Sequence, residues 1–237
     1  MKSGHRKFLK RGPGLALAVL ILLGPLPPSA SSKQPDTSSA DPLARLLNGN
    51  ARFVRGVRRP ANYKRERRAL TKVQHPYAIV LSCSDSRVPP EIVFDESLGK
   101  LFVVRVAGNV VDPVTLGSIE YAAEHLHSKL LFVLGHESCG AVRATIDGGH
   151  SSPGIEAIVD RIKPAVAKAR REHPDAKDIL PFAVNENVTL QINNALEHSS
   201  ILRELVEKKE LRIASGVHRL LSGRIDLASK DIAPSHR

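Results

Sequence analysis

Tryptophan is absent from this chain of 237 residues, aromatic residues make up 4 % of it, and only two cysteines occur, Cys83 and Cys139. Each scarcity excludes something. Two cysteines allow at most one disulfide. The formal net charge is +11, yet no basic stripe interleaved with aromatics accompanies it, so nucleic acid is set aside as a partner. The run Arg65–Arg68 reads instead as a solvated helix face. No internal repeat is found. The apolar run Leu15–Leu23 is too short to span a bilayer comfortably.

That short run belongs to a leader. Lys2, Arg6, Lys7, Lys10 and Arg11 form a basic stretch without an acid, and Pro25, Pro27, Pro28, Ser29 and Ala30 follow the apolar run. Residues 1–30 are expected to be an export signal for a periplasmic or secreted protein, with no stable membrane insertion after cleavage. An uncleaved anchor is the alternative. Losing the five basic residues leaves a modest +6. Gly4-His5-Arg6-Lys7-Phe8-Leu9-Lys10 resembles a twin-arginine signal with His5 in place of the first arginine, and an ordinary secretory signal is the other reading.

What remains has the composition of a soluble globular protein, 42 % hydrophobic and 25 % charged. Ser31–Ala40 is polar, small and aperiodic, and reads as a linker. The domain is expected over residues 41–228, with a tail over 229–237. Asp41 and Pro42 are placed to start an amphipathic helix carrying Leu43, Leu46, Leu47 and Val54. Tyr77–Ser82, Leu101–Val106 and Leu130–Leu134 are short apolar runs, as expected of strands buried on both faces. Leu116, Ile119, Ala123 and Leu126 mark a helix between the last two, so strand and helix alternate and predict an α/β fold with a mostly parallel sheet. A helix after Pro153 should bury Ile155, Ile158, Val159 and Ile162 until Pro164 breaks or kinks it, and Val188, Ile192 and Leu196 predict another over 185–197. Leu211–His218 and Arg224–Leu227, around Ser222-Gly223, predict a closing hairpin. Asn187-Val188-Thr189 matches a glycosylation sequon, but Val188 is expected to face the core.

In an exported protein the plain expectation for two cysteines is a disulfide. Their surroundings argue otherwise. Cys83 follows one strand, and His136 and Cys139 follow another, so parallel neighbours would gather all three at the carboxyl edge of the sheet, where open α/β sheets bind ligands. Two thiolates and an imidazole are ligands that zinc favours, and no third cysteine exists to close the site in the structural manner. A thiolate at Cys139 would also be favoured by the start of the following helix. Cys83-Ser84-Asp85-Ser86-Arg87 adds a carboxylate two residues from a ligand and a guanidinium placed to fork onto it. A phosphatase-type cysteine loop needs five residues between cysteine and arginine, and three are present here.

Cys83–Arg87 continuing as Val88-Pro89-Pro90, with His136-Glu137-Ser138-Cys139-Gly140-Ala141 downstream, resembles the β-class carbonic anhydrases. Leu46–Phe53, Phe102–Asn109, Gly117–Ala122 and Gly216–Leu227 resemble that family too, so the likeness runs from about residue 41 to 227. The resemblance implies the β-carbonic anhydrase fold with an N-terminal helical arm, one zinc ion held by Cys83, His136 and Cys139, and a dyad of Asp85 and Arg87. It implies reversible hydration of carbon dioxide to bicarbonate and a proton by zinc-bound hydroxide. It leaves the fourth ligand open between water and Asp85. Gln74, Phe102, Gly108, Tyr121 and Gly140 match the family's substrate pocket, which is partly built by a neighbouring subunit in a homodimer or dimer of dimers. The absence of tryptophan departs from members that regulate themselves through a separate bicarbonate pocket. His125, His127 and His150 are offered as proton relays. The same zinc site acting on carbon disulfide or carbonyl sulfide, and a zinc-binding protein without turnover, are the competing functions.

Overall fold

The structure is a computed structural model that describes residues 41–149 and 152–229. The export signal, the linker, His150 and the last eight residues of the expected tail lie outside the described residues.

Five strands form one sheet among the described residues: β1 (Ala78–Ser82), β2 (Leu101–Arg105), β3 (Leu130–His136), β4 (Arg212–His218) and β5 (Ile225–Ser229), in the order β2-β1-β3-β4-β5. The first four are parallel, and only β4 and β5 pair antiparallel, which is the expected closing hairpin. Every residue of β1 and β3 is buried, so their sequences read as continuous apolar runs rather than as an alternation.

Two apolar layers result. Ile79, Leu81, Leu131, Val133, Ile213 and Val217 face α4 (Pro113–Glu124), α5 (Gly140–Asp147), α6 (Pro153–Glu172), α7 (Leu180–His198) and α8 (Ser200–Glu207). Ala78, Val80, Leu130, Phe132, Leu134 and Ala214 face α1 (Pro42–Val54), through Leu43 and Leu46, and Phe94. Each fully buried side chain of this kind contributes about 1.5–3 kcal/mol relative to exposure.

α1 starts as expected, with the Asp41 carboxylate accepting the Leu43 N–H at 3.2 Å. Its Gly49 lets the helix lie on the turn after α3 (Pro90–Val93), since a Cβ there would sit 1.8 Å from the Phe94 carbonyl oxygen. α2 (Tyr63–Ala69) has no buried residue.

Pro164 neither ends nor divides α6, which runs on to Glu172. The proline deprives the Asp160 carbonyl of its helical partner, but both residues are exposed and water can take its place. Ile155 is not in the core: it is 47 % exposed in the first turn, while Val159 and Ile162 are buried and Ile158 is partly so.

Candidate metal centre and active site

The parallel register aligns Ser82 of β1 with Leu134 of β3, so both strands end at the same edge of the sheet. Cys83 is the first residue beyond β1. His136 is the last residue of β3, two residues further along the strand than its apolar run marks. Cys139 is the N-cap of α5. The turn between them closes because Ser138 adopts a left-handed conformation, φ 54°, at a cost of about 1–2 kcal/mol. Glu137 secures that turn: its N–H donates to the His218 carbonyl at 2.9 Å and its carboxylate accepts the Leu220 N–H at 3.1 Å.

The outcome is one cluster. The ligand atoms of Cys83, His136 and Cys139 all lie within 4.8 Å of one another, and all three residues are buried. Both cysteines are free thiols. His136 Nδ1 lies 2.9 Å from the Glu137 carbonyl oxygen. That contact assigns the ring proton to Nδ1 and leaves the Nε2 lone pair facing the sulfurs. Nε2 is buried and has no hydrogen-bond partner. Hydrogen bonding with Cys139 pulls the Cys83 thiol well below its ordinary value, with the Gly108 N–H adding to the effect against burial. Cys139 is pushed up by the same neighbour and by burial, while the N–H groups of Val142 and Ala141 at the head of α5 favour its thiolate.

Asp85 stands beside this group, with Oδ2 3.9 Å from His136 Nε2. Arg87 forks onto it, Nε to Oδ1 at 2.9 Å and Nη2 to Oδ2 at 2.8 Å, and the Arg87 backbone N–H adds a third bond at 2.9 Å. The guanidinium holds the Asp85 carboxyl well below the usual carboxylate range. Arg87 Nη2 also donates to the Ser138 carbonyl at 3.3 Å, tying the two loops together.

Three supports were not legible as site residues. Arg105, at the end of β2, donates to the carbonyls of Cys83 (3.1 Å) and Asp85 (2.7 Å) and so fixes the loop that carries both. A single arginine closing an apolar run was the available signal. Asn187 donates to the Gly108 carbonyl at 2.8 Å, and Gln191 donates to Asn187 at 2.9 Å while accepting the Val111 N–H at 2.7 Å. This buried chain holds the 3-10 turn Ala107–Asn109, from which Gly108 donates its N–H to Cys83 Sγ at 3.3 Å. Gly108 has φ 69°, and a Cβ there would come within 2.6 Å of Ile162 Cδ1. The sequon asparagine is therefore packed inside the fold.

The remaining pocket residues divide. Gly108 and Gly140 flank the cluster, and Gly140 opens α5 directly after Cys139. Phe102 and Tyr121 meet at 6.3 Å between ring centroids, with His125 5.4 Å beyond Tyr121, and Tyr121 is 48 % exposed. Gln74 is not with them. It lines a surface groove with Arg67, Leu70, Lys72, Leu98 and Gly99. His127 is exposed, with φ 54°.

A family profile described as carbonic anhydrase matches residues 78–225, a span that contains every member of this cluster. The fold is similar to that of a tetrameric β-carbonic anhydrase of Sordaria macrospora, with TM-score 0.66 and 25 % identity over 72 % of this chain and 92 % of that one. The chain belongs to the β-class carbonic anhydrases. A Coccomyxa β-carbonic anhydrase solved with acetazolamide is also similar, with TM-score 0.65 and 25 % identity over 70 % of this chain and 78 % of that one. Among curated relatives, a carbonic anhydrase of Mycolicibacterium smegmatis is 42 % identical over 191 residues, 78 % of this chain and 90 % of the relative. Carbonic anhydrase 2 of Mycobacterium tuberculosis is 37 % identical over 196 residues, 80 % and 93 % respectively. This carbonic anhydrase thus shares most of its length with both relatives.

Proposed function

We propose that this carbonic anhydrase hydrates carbon dioxide reversibly to bicarbonate and a proton, with one zinc ion held by Cys83, His136 and Cys139. The observation that carries the reading is the buried, unpartnered His136 Nε2 facing two sulfurs within 4.8 Å. An orphaned buried ring nitrogen is costly unless something accepts its lone pair, and two thiols with one imidazole are a donor set that zinc fits. Zinc bound there supplies a Lewis acid that acidifies water and makes a nucleophile available near neutral pH.

The chain's own residues supply the rest. Asp85 is placed to accept a hydrogen bond from the reacting water and so orient it toward carbon dioxide. Arg87 keeps Asp85 ionised and fixes both its oxygens. With both oxygens engaged by the fork, Asp85 serves as acceptor rather than as fourth ligand. The Gly108 N–H donates to Cys83 and tempers the charge of that thiolate. Phe102 gives an uncharged substrate an apolar wall. Gln74 lies in a separate groove of its own chain, so its match to a pocket position would be met only from a second copy in a homodimer or dimer of dimers, in line with the tetrameric Sordaria relative.

Zinc content and stopped-flow hydration of carbon dioxide, on wild type and Asp85→Asn, test the reading. Wild type should carry zinc and turn over, and Asp85→Asn should keep zinc and lose about 10²–10⁴-fold in rate. Full zinc with no hydration from neutral to alkaline pH rejects the activity, and full activity in Asp85→Asn rejects the role of Asp85. Export of the folded, metal-loaded chain is part of the same proposal, because zinc protects both thiolates in an oxidising compartment. Arg6→Lys with His5→Lys should then block translocation, and unchanged export rejects the twin-arginine route.

A further inference from the structure

The turn that presents Gly108 to Cys83 leads, three residues on, into the wall of a cavity. About 510 Å3 of space lies between α4 with the loop before it, α6 and α7, lined by Val111, Asp112, Leu116, Arg161, Asn194 and His198. Leu116 is buried, whereas Val114 and Tyr121 are 77 % and 48 % exposed. Val114 and Tyr121 are seven apart and share one face of α4, and Leu116 points the other way. A second copy of the chain that meets Tyr121 therefore stands across the helix from the cavity.

The polar groups of the cavity retain bonding capacity. The Arg161 guanidinium donates Nη1 to the Ala157 carbonyl at 2.6 Å, and its other nitrogens have no hydrogen-bond partner among the described residues. Asp112 keeps its charge: the Thr115 N–H, 2.8 Å from its Oδ1, holds the carboxyl below its ordinary range, and Arg161 adds to this from a distance. Cation and anion thus line one cavity, near enough to feel each other, yet no ion pair joins them among the described residues. His198 Nδ1 lies 2.9 Å from the Asn194 carbonyl oxygen, which assigns the ring proton there and leaves Nε2 as an acceptor. Val111 and Leu116, both buried, supply an apolar floor.

Behind that floor lies Gln191, which is fully buried. Its Oε1 accepts the Val111 N–H at 2.7 Å and lies 3.5 Å from Asn194 Nδ2, and its Nε2 donates to the Arg161 carbonyl at 3.3 Å and to Asn187 Oδ1 at 2.9 Å. Three residues of the cavity wall therefore converge on the side chain that reaches Cys83 through Asn187 and Gly108. We propose that this cavity binds a small zwitterion with an apolar body, the chemistry of an apolar amino acid, and that its binding tightens the metal centre. The carboxylate fits the free nitrogens of Arg161, the ammonium fits Asp112 and His198 Nε2, and the apolar side chain lies on Val111 and Leu116. A bare carboxylate would meet the charge of Asp112 unopposed, and a bare amine would meet that of Arg161. A ligand that bridges the three elements fixes the groups held by Gln191, and by linkage zinc and ligand then favour each other. Occupation of the cavity is independent of the proposed zinc site, and the tightening rests on it.

The test is titration calorimetry of the zinc-loaded full chain with L-leucine, against 4-methylvalerate, which lacks the ammonium, and isopentylamine, which lacks the carboxylate. L-leucine should bind one per chain, and each analogue should bind about tenfold more weakly or worse, since each loses a charge-assisted contact. Arg161→Gln and Asp112→Asn should each weaken L-leucine by about tenfold or more, and Arg171→Gln, exposed on the same helix as Arg161, should not. The second readout is zinc affinity by competition with a chelator. Saturating L-leucine should tighten zinc by about fivefold or more in wild type. It should not do so in Arg161→Gln, where the same L-leucine corrects for direct chelation, nor in Asn187→Leu, which breaks the path from the cavity to Gly108. The proposal is overturned if L-leucine fails to bind, if either analogue binds as well, if Arg161→Gln binds it like wild type, or if filling the cavity leaves zinc affinity unmoved. A chain that binds L-leucine but takes up no zinc contradicts the metal centre, and the tightening with it, while the binding site stands.

Discussion

Replacing Asn187 by leucine separates support of the metal centre from support of the fold. The side chain is buried, donates to the Gly108 carbonyl at 2.8 Å and accepts from Gln191 at 2.9 Å. Leucine fills similar space with no polar atom, which leaves one buried acceptor and one buried donor deprived of a partner. At about 1–3 kcal/mol each, the loss is about 2–6 kcal/mol. For a domain of this size that lowers Tm by roughly 4–24 °C. The second consequence reaches the site. Gly108, released from Asn187, no longer holds its N–H on Cys83 Sγ, and loss of such support typically costs 10–100-fold in metal affinity. Thermal unfolding and competition with a zinc chelator read the two effects, with Asn185→Leu, exposed on the same helix, as the control expected within about 0.5 kcal/mol of wild type. A lowered Tm with unchanged zinc affinity refutes the path from Asn187 through Gly108 to Cys83. No change in either refutes the network altogether.

Other expectations follow from single contacts. Asp112 caps α4, and the Thr115 N–H, with the Thr115 hydroxyl, lowers its carboxyl below the ordinary 3.8. Its stabilising contribution is therefore complete above that value and is lost as pH falls through the lower folded value, so Asp112→Asn should flatten acid unfolding below about pH 4 while leaving neutral stability within about 0.5 kcal/mol. Equal acid slopes in the two proteins contradict this. Asp95→Ala strands Arg52, whose side chain is 7 % exposed, and should cost about 3–5 kcal/mol in urea unfolding. A loss below about 1 kcal/mol shows that water reaches that guanidinium.

The parallel sheet was legible because β1 and β3 are buried on both faces and carry uninterrupted apolar runs. The metal cluster was legible because cysteine is so scarce that both copies, at the ends of such runs, needed a common explanation. Asn187 and Gln191 were not legible. Each looks like an ordinary polar helix residue, and its partner lies about eighty positions away. Pro164 does not break α6, because it lies on an exposed part of the helix where water can bond the freed Asp160 carbonyl. Gln74 matched a pocket position by local likeness, yet one chain places it in a separate groove, since the likeness of a short stretch does not say where the fold carries it.

The central claim is that Cys83, His136 and Cys139 hold the ion on which hydration of carbon dioxide depends. Stripping the protein with a chelator and returning zinc stepwise, with hydration followed at each step, tests it most directly. Activity should climb in proportion to zinc and level off at one ion per chain, and Cys139→Ser should fail to regain it. Hydration that survives complete removal of metal, or that returns in full without Cys139, contradicts the account.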